Sequence, residues 1–166
     1  MRILKKKMNH TPIPDKKFKE ILNLMTICTA DLIFLNKNRT KILLFKRKNK
    51  PLKGIYFAIG GRLLKNEKII DGAVRQAIRE AGLRIKKNKL RFEGIEEKIH
   101  KNSAFRNISY HTVVFYYSYI LDEARIKLRL DNQHNNYRWF PINDRKIHPL
   151  LKTRIKKIIK NHGKKF

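Results

Sequence analysis

The chain has 166 residues, 42% of them apolar, which suits one domain with a single hydrophobic core. Its 41 lysines and arginines outnumber 13 carboxylates, and the formal net charge of +28 attracts phosphates, nucleic acid or an anionic surface. No apolar run approaches the roughly 18 residues of a membrane span, and the single cysteine, Cys28, excludes an intrachain disulfide.

The N-terminal segment 1–12 is predicted to be a basic tail, because MRILKKKMNH is followed by no apolar signal-peptide core. No repeat or low-complexity linker interrupts the chain, so we expect residues 1–166 to form a single domain. The lone cysteine and the lack of an apolar span favour a cytoplasmic protein with no membrane partner.

A short amphipathic helix is predicted to begin at Pro14 and Asp15, because its apolar residues share one face: Phe18, Ile21, Leu22 and Met25. β-branched and apolar residues then dominate 26–35, and the pattern returns over 41–47 after a turn-like segment. These two strands predict a β-hairpin.

A third strand, over 55–59, is predicted to lead into a Gly-Gly turn at 60–61. After a polar loop, Asn66 is the predicted N-cap of a helix, with Glu67 in the first turn, where the helix dipole favours a negative charge. Gly82 is positioned as a left-handed C-cap. Apolar residues recur between these ends at three- and four-residue steps: Ile69, Ile70, Ala73, Val74, Ala77, Ile78 and Ala81.

The other face of this helix carries Gln76, Arg79 and Glu80 and is predicted to point away from the buried face. Glu80 lies in the last turn, where the dipole disfavours it, so we expect a positive partner. On the helix pattern alone, a surface ion pair with lysine or arginine is the simpler interpretation. The Gly-Gly turn, with Glu67 and Arg75 at their spacings, favours a bound cation instead.

The second half of the chain predicts another antiparallel pair, over 90–99 and 109–121, around a polar loop, and a short strand over 137–140. A basic helix is predicted over 149–160, with Leu150, Leu151, Ile155, Ile158 and Ile159 as its apolar residues. We expect these residues to pack on a sheet, with a membrane or nucleic-acid contact as the alternative. Strands mixed with two or three helices indicate a layered α+β domain.

The lysines are spread over most segments, which indicates a compositional bias more than a dedicated patch. The sequence contains no zinc-finger spacing, arginine-glycine repeat or RNA-recognition aromatic motif. We therefore do not expect nucleic acid as the main partner, although the charge would help to attract a diphosphate.

Segment 60–83, GGRLLKNEKIIDGAVRQAIREAGL, contains five residues at the spacing of a known signature: Gly61, Glu67, Arg75, Glu80 and Gly82. It resembles the Nudix box, the loop-helix-loop motif of magnesium-dependent hydrolases of nucleoside diphosphate compounds. Gln76 and Arg79 stand where the box has glutamate, so two of three metal-face carboxylates are missing. The resemblance implies an α+β fold, a Nudix-like α/β/α sandwich with a mixed central sheet and a box helix.

Two further segments, KRKNKPLKGIYFAIGGR at 46–62 and DNQHNNYRW at 131–139, narrow the resemblance. With the altered box, they make the chain similar to the GDP-mannose mannosyl hydrolase branch, which also lacks two box carboxylates. That branch directs water at the anomeric carbon and releases GDP and a free hexose. The resemblance implies a nucleotide-sugar substrate, GDP-mannose or GDP-glucose, and a homodimer.

By motif position, the resemblance assigns Mg2+, with Mn2+ as an alternative, to three oxygen donors: the Gly60 carbonyl, Glu80 and Gln133. Oxygen donors suit such hard cations. His134 would be the general base that takes a proton from water, because an imidazole titrates near neutral pH.

The same mapping implies substrate-binding residues: Phe18, Asp31, Arg47, Arg62 and Tyr110. Arg47 and Arg62 would contact the diphosphate as catalytic arginines, whereas Arg75 would either pair with Glu67 or support the metal site. Asp31 would hold sugar hydroxyls or orient an arginine. Phe18 would stack on the nucleotide base or, equally, anchor the first helix.

Two departures from the branch bear on activity. Thr112 replaces a tyrosine near the diphosphate, with Tyr110 on the same strand face. Arg79, next to Glu80, would either weaken Mg2+ binding or replace the charge of a second metal.

Two other functions stay open at this point. An ordinary Nudix pyrophosphohydrolase would direct water at phosphorus and release a sugar phosphate. A non-catalytic Nudix-like module would bind nucleic acid through its positive charge.

Overall fold

The structure, a computed structural model, describes residues 13–50, 52–101 and 103–163. Within these residues, the helices are α1 (Asp15–Leu24), α2 (Ile69–Ala81) and α3 (Pro149–Gly163), with a short 3-10 helix at Lys87–Lys89. The strands are β1 (Ile27–Asn36), β2 (Lys41–Arg47), β3 (Tyr56–Phe57), β4 (Ile59–Arg62), β5 (Arg91–His100), β6 (Tyr110–Leu121) and β7 (His134–Pro141). The predicted tail, 1–12, lies outside the described residues.

The described strands form one mixed sheet with β1 at its centre. β1 runs parallel to β6 from Ile27 to Asn36, and β5 pairs antiparallel with the outer edge of β6. On its other side, β1 pairs antiparallel with β4 and β2, and β2 is flanked by β3 and β7. The mixed sheet predicted by the resemblance is confirmed.

Both faces of the central strand are buried, because a helix covers each face of the sheet. On one face, Ile33 and Leu35 of β1 pack with residues of α3: Leu151, Ile155 and Ile158. On the other face, Ala30, Leu32 and Phe34 pack with residues of α2: Ala73, Ala77 and Ala81. The predicted α/β/α sandwich is confirmed. Small residues let α2 lie close to the sheet, and a side chain at Gly72 would collide with Leu63.

The predicted hairpin and the second antiparallel pair agree with the structure to within one residue at each end. The predicted strand at 137–140 is longer and begins at His134, because β7 pairs along the whole of β2. The C-terminal helix continues to Gly163. Met25, predicted on the apolar face of α1, lies beyond the helix and is 64% exposed.

The Gly-Gly turn predicted at 60–61 is wrong, because both glycines belong to β4. Gly60 pairs with Asp31 of β1, and this pairing draws the segment into the sheet. The single strand predicted over 55–59 is consequently divided between β3 and β4.

The predicted N-terminus of the box helix is shifted. Lys68 is the N-cap, Asn66 adopts a left-handed conformation with φ of 65°, and Glu67 therefore precedes the helix. At the other end, Gly82 has φ of 68°, which confirms the predicted left-handed cap. A side chain at Gly82 would also crowd Arg129.

The polar face predicted for α2 does not point into solvent. Gln76 and Glu80 are each only 1% exposed, whereas the apolar Ile78 is 47% exposed. The reason is that α2 lies across β4 as well as β1, and its polar residues meet the backbone of β4. Glu80 as a surface carboxylate is therefore wrong.

Candidate active site

A cleft of about 410 Å3 lies over the N-terminal half of β1 and receives side chains from all three helices. All five predicted substrate-binding residues line it: Phe18, Asp31, Arg47, Arg62 and Tyr110. Gly60 and Gln133 line it as well. Glu80, His134 and Arg75 do not belong to the lining that the described residues form, and the first two are buried beside it.

The cleft is strongly positive. Four arginines and a lysine line it: Arg47, Arg62, Arg79, Lys98 and Arg154. Burial lowers the pKa of Arg62, and repulsion by Arg79 and Arg75 lowers it further. Guanidinium groups gathered in this way suit bidentate contacts with phosphate oxygens.

The buried carboxylate of Glu80 is held between α2 and β4. Its Oε1 accepts a hydrogen bond from Arg79 Nη2 at 2.6 Å, and its Oε2 accepts one from the Gly60 N–H at 3.4 Å. Burial raises the pKa of Glu80 to about 7 although Arg79 opposes this shift. The positive partner expected from the sequence is therefore present within the protein as Arg79.

His134 begins β7, and its side chain is fully buried beside Glu80. Its neutral ring donates from Nδ1 to Asp131 Oδ1 at 2.9 Å, while Nε2 lies 4.0 Å from Glu80 Oε2. In the described part of the chain, Nε2 has no hydrogen-bond partner. Burial lowers the pKa of His134 although Asp131 opposes the shift, so the ring keeps a free lone pair near neutral pH.

Asp131 organises the loop before β7. Its carboxylate accepts hydrogen bonds from the His134 ring, from the Gln133 N–H at 3.0 Å and from Gln133 Nε2 at 3.1 Å. The loop is fastened to the end of α2 by the Arg129 N–H, which donates to the Ala81 carbonyl at 3.0 Å. This role of Asp131 was not predicted from the sequence, although a carboxylate three residues before the proposed base was a usable signal.

Arg75 forms a bidentate ion pair with Glu67, with Nε and Nη2 at 2.6 and 2.7 Å from the two carboxylate oxygens. Nη2 also donates to the Arg62 carbonyl, and Glu67 accepts from the Leu64 N–H. Burial raises the pKa of Glu67, but Arg75 and the N–H group hold it below its usual value. Of the two roles considered for Arg75, the structure shows the pair with Glu67, which fixes the backbone of Arg62.

Asp31 orients an arginine, one of its two predicted roles. Its Oδ2 accepts from Arg154 Nη1 at 2.7 Å, and Arg154 Nε donates to Glu96 Oε2 at 3.0 Å. Burial lowers the pKa of Arg154, but the two carboxylates together raise it above its ordinary value. Arg154 was not predicted from the sequence, although its spacing from Leu151 and Ile158 places it on the apolar face of α3.

Aromatic residues line the end of the cleft formed by α1 and β6. The Arg62 guanidinium lies 5.2 Å from the centre of the Phe18 ring, which also contacts Phe105 edge-on. Burial raises the pKa of Tyr110 to about 12, and Asp31 adds to this shift, so its hydroxyl remains a hydrogen-bond donor. Thr112 also lines the cleft, two residues from Tyr110 on β6.

The comparisons with known proteins agree with this architecture. The model of the NUDIX domain matches residues 26–161, most of the chain. The chain belongs to the NUDIX domain family. This membership supports hydrolysis of a nucleoside diphosphate derivative as its general activity.

A curated relative, "Low-salt glycan biosynthesis protein Agl8" of Haloferax volcanii, is 28% identical over 143 residues, covering 85% of this chain and 87% of the relative. The NUDIX domain of Shewanella oneidensis NrtR, solved with ADP ribose, superposes with a TM-score of 0.63 at 14% identity, covering 90% and 99% of the two chains. A MutT/nudix family protein from Enterococcus faecalis gives a TM-score of 0.58 at 17% identity, covering 79% of this chain and 57% of its own length. These solved structures show the fold alone.

The Nudix box of this chain has the donors for one hard divalent cation. Glu80 supplies a buried carboxylate beside Gly60, and the buried Oε1 of Gln76 has no hydrogen-bond partner among the described residues. Gln133 donates its Nε2 to Asp131, which leaves its amide oxygen as a donor for a cation. The described residues hold no group of three or more His, Cys, Asp or Glu side chains arranged for a metal. The donor set fits one cation held by a single carboxylate and neutral oxygens.

Arg79 competes with such a cation for Glu80, because its guanidinium already holds Oε1. We expect Arg79→Gln to lower the Mg2+ concentration that gives half-maximal activity by about tenfold. The measurement is activity as a function of Mg2+ concentration. The exposed Arg84→Gln, which removes an equal charge just beyond α2, is the control and should leave this concentration unchanged. A lower kcat in Arg79→Gln at an unchanged Mg2+ requirement would show instead that Arg79 replaces a metal's charge.

Proposed function

We propose that the protein hydrolyses a GDP-hexose, GDP-mannose or GDP-glucose, at the anomeric carbon and releases GDP and free sugar. The observation that carries the proposal is the proximity of His134 to Glu80, with Nε2 4.0 Å from Oε2. The proposed metal face of the box retains one carboxylate, Glu80, and an imidazole outside the box lies beside it, oriented by Asp131. A one-metal site with a separate base matches the GDP-mannose mannosyl hydrolase branch, which the sequence resembles.

The class of substrate has two further supports. Arg47 and Arg62 suit a diphosphate, and Asp31 places a carboxylate in the same cleft that can accept hydrogen bonds from sugar hydroxyls. The relative at 28% identity is described as a glycan biosynthesis protein, which is consistent with nucleotide-sugar chemistry.

In the proposed reaction, the oxygen of water forms a bond to the anomeric carbon as the bond from that carbon to the diphosphate oxygen breaks. The electron pair of the broken bond leaves with GDP. His134 Nε2 accepts the proton from water, and Asp131 stabilises the resulting imidazolium through Nδ1. Arg47 and Arg62 neutralise the charge that develops on the diphosphate.

Mg2+, or Mn2+ in its place, would be held by Glu80, the Gly60 carbonyl and Gln133, and would supply further charge neutralisation at the leaving diphosphate. Arg75 acts at a distance, since its pair with Glu67 fixes the backbone of Arg62. Water must reach Nε2 behind the cleft lining for His134 to act as the base.

One observation favours a second function, a pyrophosphohydrolase that cleaves the diphosphate itself. The ring of His134 is fully buried and does not line the cleft, whereas Glu80 approaches the Gly60 backbone at the cleft floor. If water is activated at Glu80, it would attack phosphorus and the sugar would leave as a phosphate.

Identification of the products separates the two functions. Purified protein is incubated with GDP-mannose, GDP-glucose and ADP-ribose in Mg2+, and the products are resolved by chromatography. The proposal expects GDP and free hexose from a GDP-hexose and little turnover of ADP-ribose. Release of GMP and a hexose phosphate would support the pyrophosphohydrolase, and no Mg2+-dependent turnover would favour a non-catalytic module.

We extend the proposal to the assembly and setting by the same resemblance: a homodimer of single-domain chains in the cytoplasm. None of the helices in the described residues has the length and apolar character that a membrane crossing requires. Light scattering on the purified protein measures the mass and so tests the homodimer.

A further inference from the structure

Arg154 is a buried arginine on the apolar face of α3. It is 2% exposed, yet its guanidinium reaches the cleft and lies 5.2 Å from the centre of the Tyr116 ring. It bridges two carboxylates on different strands, Asp31 of β1 and Glu96 of β5. Lys98 Nζ lies 3.6 Å from the same Glu96 oxygen and supplies a second positive charge.

Arg154 is one of several contacts that attach α3 to the sheet. Leu151, Ile155 and Ile158 pack in the core below it. Near the end of the helix, His162 Nε2 lies 2.9 Å from the buried carboxylate of Glu93. A buried ion pair is in general weak evidence for stability, because apolar residues of similar volume are often as stable. The position of Arg154 is therefore better explained by what it does to Asp31.

Arg154 leaves one oxygen of Asp31 for the cleft. It binds Oδ2, whereas Oδ1 lies against the backbone of Gly60, where any side chain would collide with it. Gly60 is the residue whose carbonyl we propose as a metal ligand, so Asp31 stands beside the reacting end of the substrate. An ionised carboxylate only accepts hydrogen bonds, which suits the hydroxyls of a sugar.

The geometry points to Arg154 as a positioning residue that holds Asp31 so that its free oxygen accepts a hydrogen bond from a hydroxyl of the hexose. This inference rests on the proposed function, because it adds a positioning residue to the proposed contact between Asp31 and the sugar of the nucleotide sugar. It predicts that Arg154 affects binding of the sugar and leaves binding of the nucleoside diphosphate unchanged.

The test compares Arg154→Met, Arg154→Lys and Asp31→Asn, each as the full chain. We expect Arg154→Met to raise KM for GDP-mannose about tenfold and to leave inhibition by GDP, which lacks the sugar, unchanged. Arg154→Lys keeps the charge and should recover part of the loss. KM for GDP-mannose in the double variant Arg154→Met and Asp31→Asn should be no higher than in Asp31→Asn alone, because both changes disrupt the same interaction with the hexose.

His162→Gln is the matched control, since it removes a ring of the same helix that contacts the buried Glu93 outside the described cleft lining. It should lower the melting temperature and leave KM unchanged.

Arg154→Met overturns the inference if KM stays unchanged, or if KM and the inhibition constant of GDP rise together. If Arg154→Met does not fold, KM for GDP-mannose and the inhibition constant of GDP are compared in Arg154→Lys and Asp31→Asn instead. If the parent protein does not hydrolyse GDP-mannose, the proposed function and this inference both fail. If it does, and KM is unchanged in the variants, only the inference fails.

Discussion

Glu80→Gln is expected to lower kcat by more than about a hundredfold, because Glu80 is the only carboxylate among the proposed metal ligands. Even residues that merely orient metal ligands cost about 10- to 100-fold when they are replaced, so loss of the ligand itself should cost more. The effect should appear in kcat at saturating substrate and should diminish little when Mg2+ is raised. Steady-state kinetics over a range of Mg2+ concentrations provides the measurement.

The stability of this variant separates a lost ligand from a lost fold. Burial raises the pKa of Glu80 to about 7, so its charged form is disfavoured in the folded protein. The melting temperature of Glu80→Gln in metal-free buffer should therefore be no lower than that of the parent. Glu97→Gln removes an exposed carboxylate of β5 and should leave both kcat and stability unchanged. A kcat within a few-fold of the parent in Glu80→Gln would remove the metal site from the mechanism.

His134→Ala is expected to lower kcat by at least about a hundredfold, the lower range of the contribution of general base catalysis. The structural reason is the unpaired Nε2, which faces Glu80 while Nδ1 is held by Asp131. Asp131→Asn should have a smaller effect in the same direction, because it disturbs the tautomer and orientation of the ring. Steady-state kcat on GDP-mannose measures both effects.

His148 offers a matched control for this variant. His148 is partly buried, and burial lowers its pKa as it lowers that of His134. The centre of its ring lies 5.6 Å from that of Phe57, and the centre of the His134 ring lies 5.7 Å from that of Phe45. His148→Ala should change stability more than kcat. If His134→Ala retains the parental rate, the assignment of the base is wrong even where the enzyme class is right.

The elements of the sandwich could be predicted because their signals are local. The β-branched and apolar runs of β1 and β2, the apolar repeat of α2 and the glycine that ends it all lie within short segments. The role of the Gly-Gly pair could not be inferred in this way. Whether Gly60 turns or extends depends on β1, which pairs with it from about thirty residues earlier in the chain.

Most of the predicted site residues lie around one cleft, whereas the burial and contacts of several of them differ from the prediction. Seven of the residues assigned by motif position line one cleft, since the spacing of a motif survives without knowledge of the fold, and their roles stay predictions. The burial of Glu80 and Gln76 was not predicted, because a polar helix face ordinarily meets solvent and here meets β4. Arg154 lies 123 residues from Asp31, so only the folded chain shows that they form a pair.

The position of a heavy oxygen isotope in the products tests the central claim most directly. The parent protein hydrolyses GDP-mannose in isotopically labelled water with Mg2+, and mass spectrometry locates the label at short times, before the free sugar exchanges its anomeric oxygen with solvent. Attack at carbon predicts label in mannose and none in GDP. Label in a phosphate group of the nucleotide or of a sugar phosphate would contradict attack at the anomeric carbon and establish attack at phosphorus.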